Sequence, residues 1–156
     1  MQPRNKRLSV AAAIAAAIAI PAEGLRQVAY YDPPGILTVC YGSTTNVERG
    51  KRYSLEECKA RLDADMMEAI TSVDRCAPNL PENVLAAFGD AAYNLGPTIA
   101  CGPSTASKYL KAGDLAAACN QLPRWNKARV AGVLVELPGL TKRRNAERDL
   151  CLKGIS

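Results

Sequence analysis

The sequence predicts an α+β fold, a small antiparallel sheet followed by a mainly helical body. Between Val28 and about Val47 lie strand-like runs broken by the turn signal Pro33-Pro34-Gly35. Beyond them the chain carries helix caps and helically spaced apolar residues, which is the order of elements expected of an α+β protein. The 156 residues suit one domain, or two small lobes sharing a core.

The elements follow in order. A basic start, MQPRNKR, precedes an uncharged run from Leu8 to Ala22. A basic start before such a run reads as an export signal. As a helix, the run spans only about 22 Å, short against a hydrocarbon core of about 30 Å. It is also rich in Ala, so its hold on a bilayer is marginal. Ala17-Ile18-Ala19 offers a small-residue cleavage site, so a cleaved signal and a retained one are both open. Val10, Ile14 and Ile18 form one stripe expected to dock on a core. Pro21 is expected to kink the end of this helix. Leu37-Thr38-Val39-Cys40-Tyr41 reads as a strand. Ser54 with Glu57 forms a capping box opening a helix to about Val73. Pro81 starts the next helix, whose apolar face is Val84, Leu85, Phe88, Ala92 and Leu95, and Gly96-Pro97 ends it. Further helices are expected over Ser104–Ala112, Asp114–Leu122 and Thr141–Leu152, with Asp114 and Thr141 as N-caps.

Composition narrows the function. The net charge is +5, and Arg4, Lys6 and Arg7 supply three of those units, leaving +2 for the rest. A mildly basic body without aromatic–basic interleaving argues against nucleic acid as a partner and suits an anionic polymer. The chain contains no His, which excludes His-based triads, general bases and metal sites. Cys40, Cys58, Cys76, Cys101, Cys119 and Cys151 lack the close spacing of zinc ligands. They point to an oxidising compartment and up to three disulfides. Fifteen connectivities are open. Joining neighbouring elements selects Cys40–Cys58, Cys76–Cys101 and Cys119–Cys151 as the expected set.

Glu23, Asp32 and Thr38 are the candidate catalytic residues. Eight residues separate the first two and five the second two. Two acids with a turn between them, then a hydroxyl on a strand, suit glycosidic cleavage. One acid protonates the leaving oxygen and the other activates water or stabilises charge on the sugar. A solvated surface pair, or an Asp that only caps its turn, shows the same bare spacing.

The segment EGLRQVAYYDPPGILTVCYGST (Glu23 to Thr44) resembles the active-site segment of phage-type lysozymes (endolysins). The resemblance extends through Tyr93-Asn94-Leu95-Gly96, Ser104-Thr105, Arg124-Trp125-Asn126 and Gly139-Leu140-Thr141-Lys142-Arg143-Arg144, and so covers about Ser9 to the C-terminus. It implies two lobes with a cleft between, and a muramidase cutting the β-1,4 bond between N-acetylmuramic acid and N-acetylglucosamine of peptidoglycan. Glu23 would be the general acid, Asp32 the base for water, and Thr38 the residue holding that water. Tyr31, Asn94, Trp125 and Arg144 would contact substrate, and Arg143 or Arg144 would approach the acid. The family's Tyr-Gly-His is here Tyr41-Gly42-Ser43, which alters how the hairpin is braced.

The N-terminal segment looks like that of the signal-anchor-release endolysins. Residues 1–22 would then be a releasable anchor helix, and 23–156 the catalytic domain, a monomer without metal or cofactor. The protein would sit at the inner membrane, facing the periplasm, before becoming soluble there. Two other functions remain possible on sequence. A lytic transglycosylase would leave 1,6-anhydro ends and would not need Asp32 and Thr38. A catalytically dead, membrane-tethered wall-binding protein would be expected to lack one of the acids, and both are present.

Overall fold

The computed structural model describes residues 4–155. A 20-residue helix α1 (Arg4–Glu23) leads into a hairpin of β1 (Arg26–Tyr31) and β2 (Leu37–Cys40). Helices α2 (Leu55–Cys76), α3 (Glu82–Leu95), α4 (Thr98–Cys101), α5 (Thr105–Ala112) and α6 (Leu115–Cys119) follow, and a 3-10 turn spans Leu122–Arg124. A second hairpin, β3 (Lys127–Val130) and β4 (Val133–Glu136), precedes α7 (Pro138–Lys153). The expected α+β architecture is present, with two small hairpins beside a helical lobe.

Local chemistry explains the boundaries. Ser54 Oγ accepts from the Glu57 amide at 3.0 Å, and the Ser54 amide donates to Glu57 Oε1 at 3.2 Å, closing the capping box on α2. Ser104 and Asp114 cap α5 and α6 by accepting from Ser107 and Ala117. Thr141 does not cap α7. That helix starts one turn earlier at Pro138, a residue preorganised for a first helical turn, and Thr141 Oγ1 instead accepts from Asn126 Nδ2 at 3.0 Å. The expected single helix over Asp114–Leu122 stops at Cys119 and resumes as the 3-10 turn, where Pro123 lacks an amide donor.

Helix α3 is buried along most of its length and lies at the centre, against α1, α2 and α7. Gly89 permits the close crossing with α2, since a Cβ there would lie 2.1 Å from Ile70 Cδ1. Helix α1 docks in an unexpected orientation. Val10, Ile14 and Ile18 are only half-buried, and the face against the core is Leu8, Ala11, Ala12, Ala15, Ala16 and Ala19. Small side chains let the α1 backbone approach its neighbours closely, so a dense contact forms without large residues. Pro21 lies in the last turn, and the helix continues through it to Glu23.

Ion pairs hold the other end of α1. Arg4 Nε lies 3.0 Å from Asp74 Oδ2, and Arg7 pairs with Oδ1 of the same buried carboxylate while donating to the Leu80 carbonyl at 2.7 Å. Losing these arginines would leave the buried Asp74 carboxylate uncompensated, at a cost of about 3–5 kcal/mol.

All three expected disulfides are formed. Cys40–Cys58 ties β2 to α2, Cys76–Cys101 ties α2 to α4, and Cys119–Cys151 ties α6 to α7. The loops they close span 18, 25 and 32 residues. Chain entropy makes each bridge worth about 3–4 kcal/mol. Helix α1 carries no cysteine and is held by packing and ion pairs.

Candidate active site

Glu23 is the last residue of α1, and Gly24 turns the chain with φ +71° into β1. The carboxyl is about one-fifth exposed. Arg143 of α7 donates from Nη1 to Glu23 Oε1 at 2.5 Å. The other carboxyl oxygen faces Gly42. That residue has φ +91°, and a Cβ on it would come within 3.5 Å of Glu23 Oε2. Glycine thus meets two demands there, a left-handed turn and room beside the acid.

Behind Glu23 lies a buried charge network. Arg143 donates from Nε and Nη2 to the two oxygens of Asp90 at 2.9 and 2.8 Å, and Asp90 is fully enclosed. Burial disfavours the Arg143 cation, but the carboxylates of Asp90 and Glu23 outweigh it and hold the guanidinium charged. Arg144 is also enclosed and pairs with Glu147 at 2.5 Å. Burial, and then the neighbouring Asp90, push the Glu147 carboxyl well above the usual carboxylate range.

Two hollows meet at Glu23. One, of about 450 Å³, is lined by Glu23, Gly42, Asp65, Glu68, Tyr93 and Asn94, among others. The second, of about 660 Å³, has walls from Ala17, Ile18 and Pro21 of α1 and from Leu140, Lys142 and Arg143 of α7, with Glu23 and Asn94 again at its edge. Tyr93 Oη donates to the Tyr41 carbonyl at 2.5 Å, and burial followed by Glu23 pushes its phenol pKa up. Asn94 Oδ1 is buried and has no donor among the described residues.

The other sequence candidates fall in different surroundings. Asp32 follows β1, and its Oδ1 accepts from the Ile36 amide at 2.7 Å, closing the hairpin turn. Thr38 is buried on β2 opposite Tyr30, with its hydroxyl donating to the Ile36 carbonyl at 2.9 Å. Neither lines the two hollows at Glu23. Tyr31 is exposed near Arg49, and Tyr30 is half-buried beneath the Arg26 guanidinium, so neither tyrosine enters the core. Trp125 is half-buried against the helical core. Arg144 faces Glu147 inside the lobe, and the arginine that reaches the acid is Arg143.

Ser43 is buried. Arg61 braces it, donating from Nη1 to Ser43 Oγ at 3.2 Å and to the Thr45 carbonyl at 2.6 Å. Burial pushes the Asp65 carboxyl up, and the nearby Ser43 opposes that rise. With Cys40–Cys58, these contacts hold the hairpin to α2.

Known proteins share this fold. The family model described as phage lysozyme matches residues 21–147. The chain belongs to the phage lysozyme family. This phage lysozyme is 36% identical over 149 residues to the SAR-endolysin of Pseudomonas phage phiKMV, covering 93% of this chain and 91% of that one. Its fold matches the crystal structure of the active form of P1 phage endolysin Lyz with a TM-score of 0.79 and 27% identity, over 92% of this chain and 85% of that one. The secreted inactive form of the same endolysin matches less well, with a TM-score of 0.54 and 26% identity, over 72% of this chain and 77% of that one. As a phage lysozyme it is a glycoside hydrolase of the endolysin type.

The sequence reading missed Asp90, Asp65, Glu68 and the β3–β4 hairpin. A signal for Asp90 was available. A lone acid inside the apolar run Val84–Leu95 needs a buried partner, and the adjacent arginines of α7 were candidates for it.

Proposed function

We propose that the protein is an endolysin muramidase that hydrolyses the β-1,4 bond between N-acetylmuramic acid and N-acetylglucosamine in bacterial peptidoglycan. Glu23 donates a proton to the leaving oxygen, Asp32 is the base for the attacking water, and Thr38 positions that water. The observation that carries this reading is the seat of Glu23. It is a partly buried carboxyl at the meeting point of two hollows, held on one oxygen by Arg143 and left room on the other by Gly42. A glycan strand running from one hollow to the other passes over it. Asn94 Oδ1, which has no protein donor among the described residues, suits the acetamido N–H of a bound sugar. Tyr31 and Trp125 are the proposed sugar-stacking residues. Arg144 serves the site through Glu147, inside the lobe.

Helix α1 also serves in export. It is long and apolar enough to cross a membrane by length and composition, and its basic start favours the cytoplasmic side. The SAR-endolysin relatives support a membrane-anchored stage before release to the periplasm. While in the bilayer, α1 holds Glu23 away from the hairpin, and Arg4 and Arg7 away from Asp74. Loss of membrane potential is the proposed trigger for release. The enzyme then works on the wall as a monomer, without nucleic acid or cofactor.

Product analysis tests the chemistry. Base-activated water attacking the far face of the sugar inverts the anomeric centre, so proton NMR should show the α-anomer as the first-formed reducing end. A first-formed β-anomer would make Asp32 a nucleophile. 1,6-Anhydro ends would make the enzyme a transglycosylase.

A further inference from the structure

We propose that Asp90 is a positioning residue for the catalytic acid, fixing the Arg143 guanidinium against Glu23 and offsetting its charge. The inference rests on Glu23 being the general acid.

A general acid beside an arginine faces a conflict. Arg143 gives Glu23 a well-aimed donor, but a bare cation at 2.5 Å strongly favours the ionised carboxylate, which has no proton to give. Asp90 resolves both parts. Its two oxygens take Nε and Nη2, so the guanidinium plane is set and Nη1 is left for Glu23. Its charge also makes the Arg143–Asp90 unit neutral as a whole. Asp90 is fully enclosed, so solvent screens little of this effect. Glu147 completes the support. Burial and the neighbouring Asp90 push its carboxyl up, and both Asp90 oxygens accept from Arg143.

Other groups face Glu23 more loosely. Lys142 of α7 lines the adjoining hollow, Tyr93 of α3 lies beside the acid, and Asp65 and Glu68 of α2 line the cleft. Among the described residues, Arg143 is the group that hydrogen-bonds the Glu23 carboxyl.

Asp90→Asn keeps the volume and one acceptor oxygen but removes the charge. Arg143 then favours ionised Glu23. The acid works only when protonated, so the alkaline limb of kcat/KM against pH should move to lower pH by about one unit. Arg143→Gln removes the cation and should move that limb the other way. A purely structural Asp90 would lower activity at every pH without moving the limb, and that result would overturn the proposal.

An unpaired buried arginine can unfold the chain, so Asp90→Asn is also made in the Arg143→Gln background. Because Asp90 acts through Arg143, turnover of the double variant should stay within about twofold of Arg143→Gln alone. A further tenfold loss would overturn the proposal. Glu23→Gln is assayed beside them. Retained lysis there would remove the acid assignment itself. An inactive Glu23→Gln with an unmoved limb in Asp90→Asn would remove only the role of Asp90.

Discussion

Glu23→Gln is expected to reduce peptidoglycan lysis by about 10²–10⁴-fold, the usual contribution of a positioned proton donor. The substitution keeps the volume of the side chain and removes the ionisable proton. The amide oxygen can still accept from Arg143 Nη1, so the Arg143–Asp90 unit stays in place. Folding should therefore be nearly unchanged, with the same thermal midpoint within a few degrees. A zymogram on purified peptidoglycan, with circular dichroism on the same samples, reads both quantities. Lysis within about tenfold of wild type would show that another group supplies the proton.

The second large effect concerns the two faces of α1. Ala11, Ala15 and Ala19 are fully buried. Changing them to Leu inserts three carbons at each of three packed sites, and each overpacked site costs about 1–3 kcal/mol. The docked arrangement should be lost, along with most of the activity. Ser9 and Ala13 lie on the exposed face of the same helix, away from the hollows at Glu23. Leu at those two positions leaves the docked face intact but adds apolar area at about 0.8 kcal/mol per buried CH₂. That variant should stay in the membrane fraction of cells and fail to lyse them, yet be active once solubilised and refolded. Fractionation followed by assay of the refolded proteins separates the two sets. Equal behaviour of the two sets would mean that α1 either does not enter the bilayer or does not dock on the core.

Elements with strong local chemistry were legible in the sequence. The Ser54–Glu57 box sets the start of α2 with two side-chain bonds, and the cysteine pairs join elements that pack side by side. Features decided by tertiary contact were harder to read. The Val10–Ile14–Ile18 stripe is the more apolar face of α1, whereas close approach to neighbouring helices favours the alanines. The β3–β4 hairpin keeps Val130, Val133 and Leu134 exposed, so it lacks the half-buried alternation that marks a strand. Of the site, Glu23 was legible by motif. Arg143 could not be told from Arg144, because adjacent residues on a helix point about 100° apart and only the packing of α7 decides which faces the acid. Asp90 was hidden in an apolar run, since its partner lies 53 residues away.

The same residues serve in both proposed states of α1. Arg4 and Arg7 provide the basic end of an export segment and also the cations that clasp Asp74. Glu23 ends a membrane-length helix and stands at the meeting point of the two hollows. A cleaved signal would discard the clasp and most of the helix that carries the acid. The most direct test is the N-terminal sequence and intact mass of the soluble, lytically active protein recovered from the periplasm. The account predicts that residues 4–22 are present in it. A start at Ile20 or later in fully active protein would contradict it, because the acid would then act without its helix.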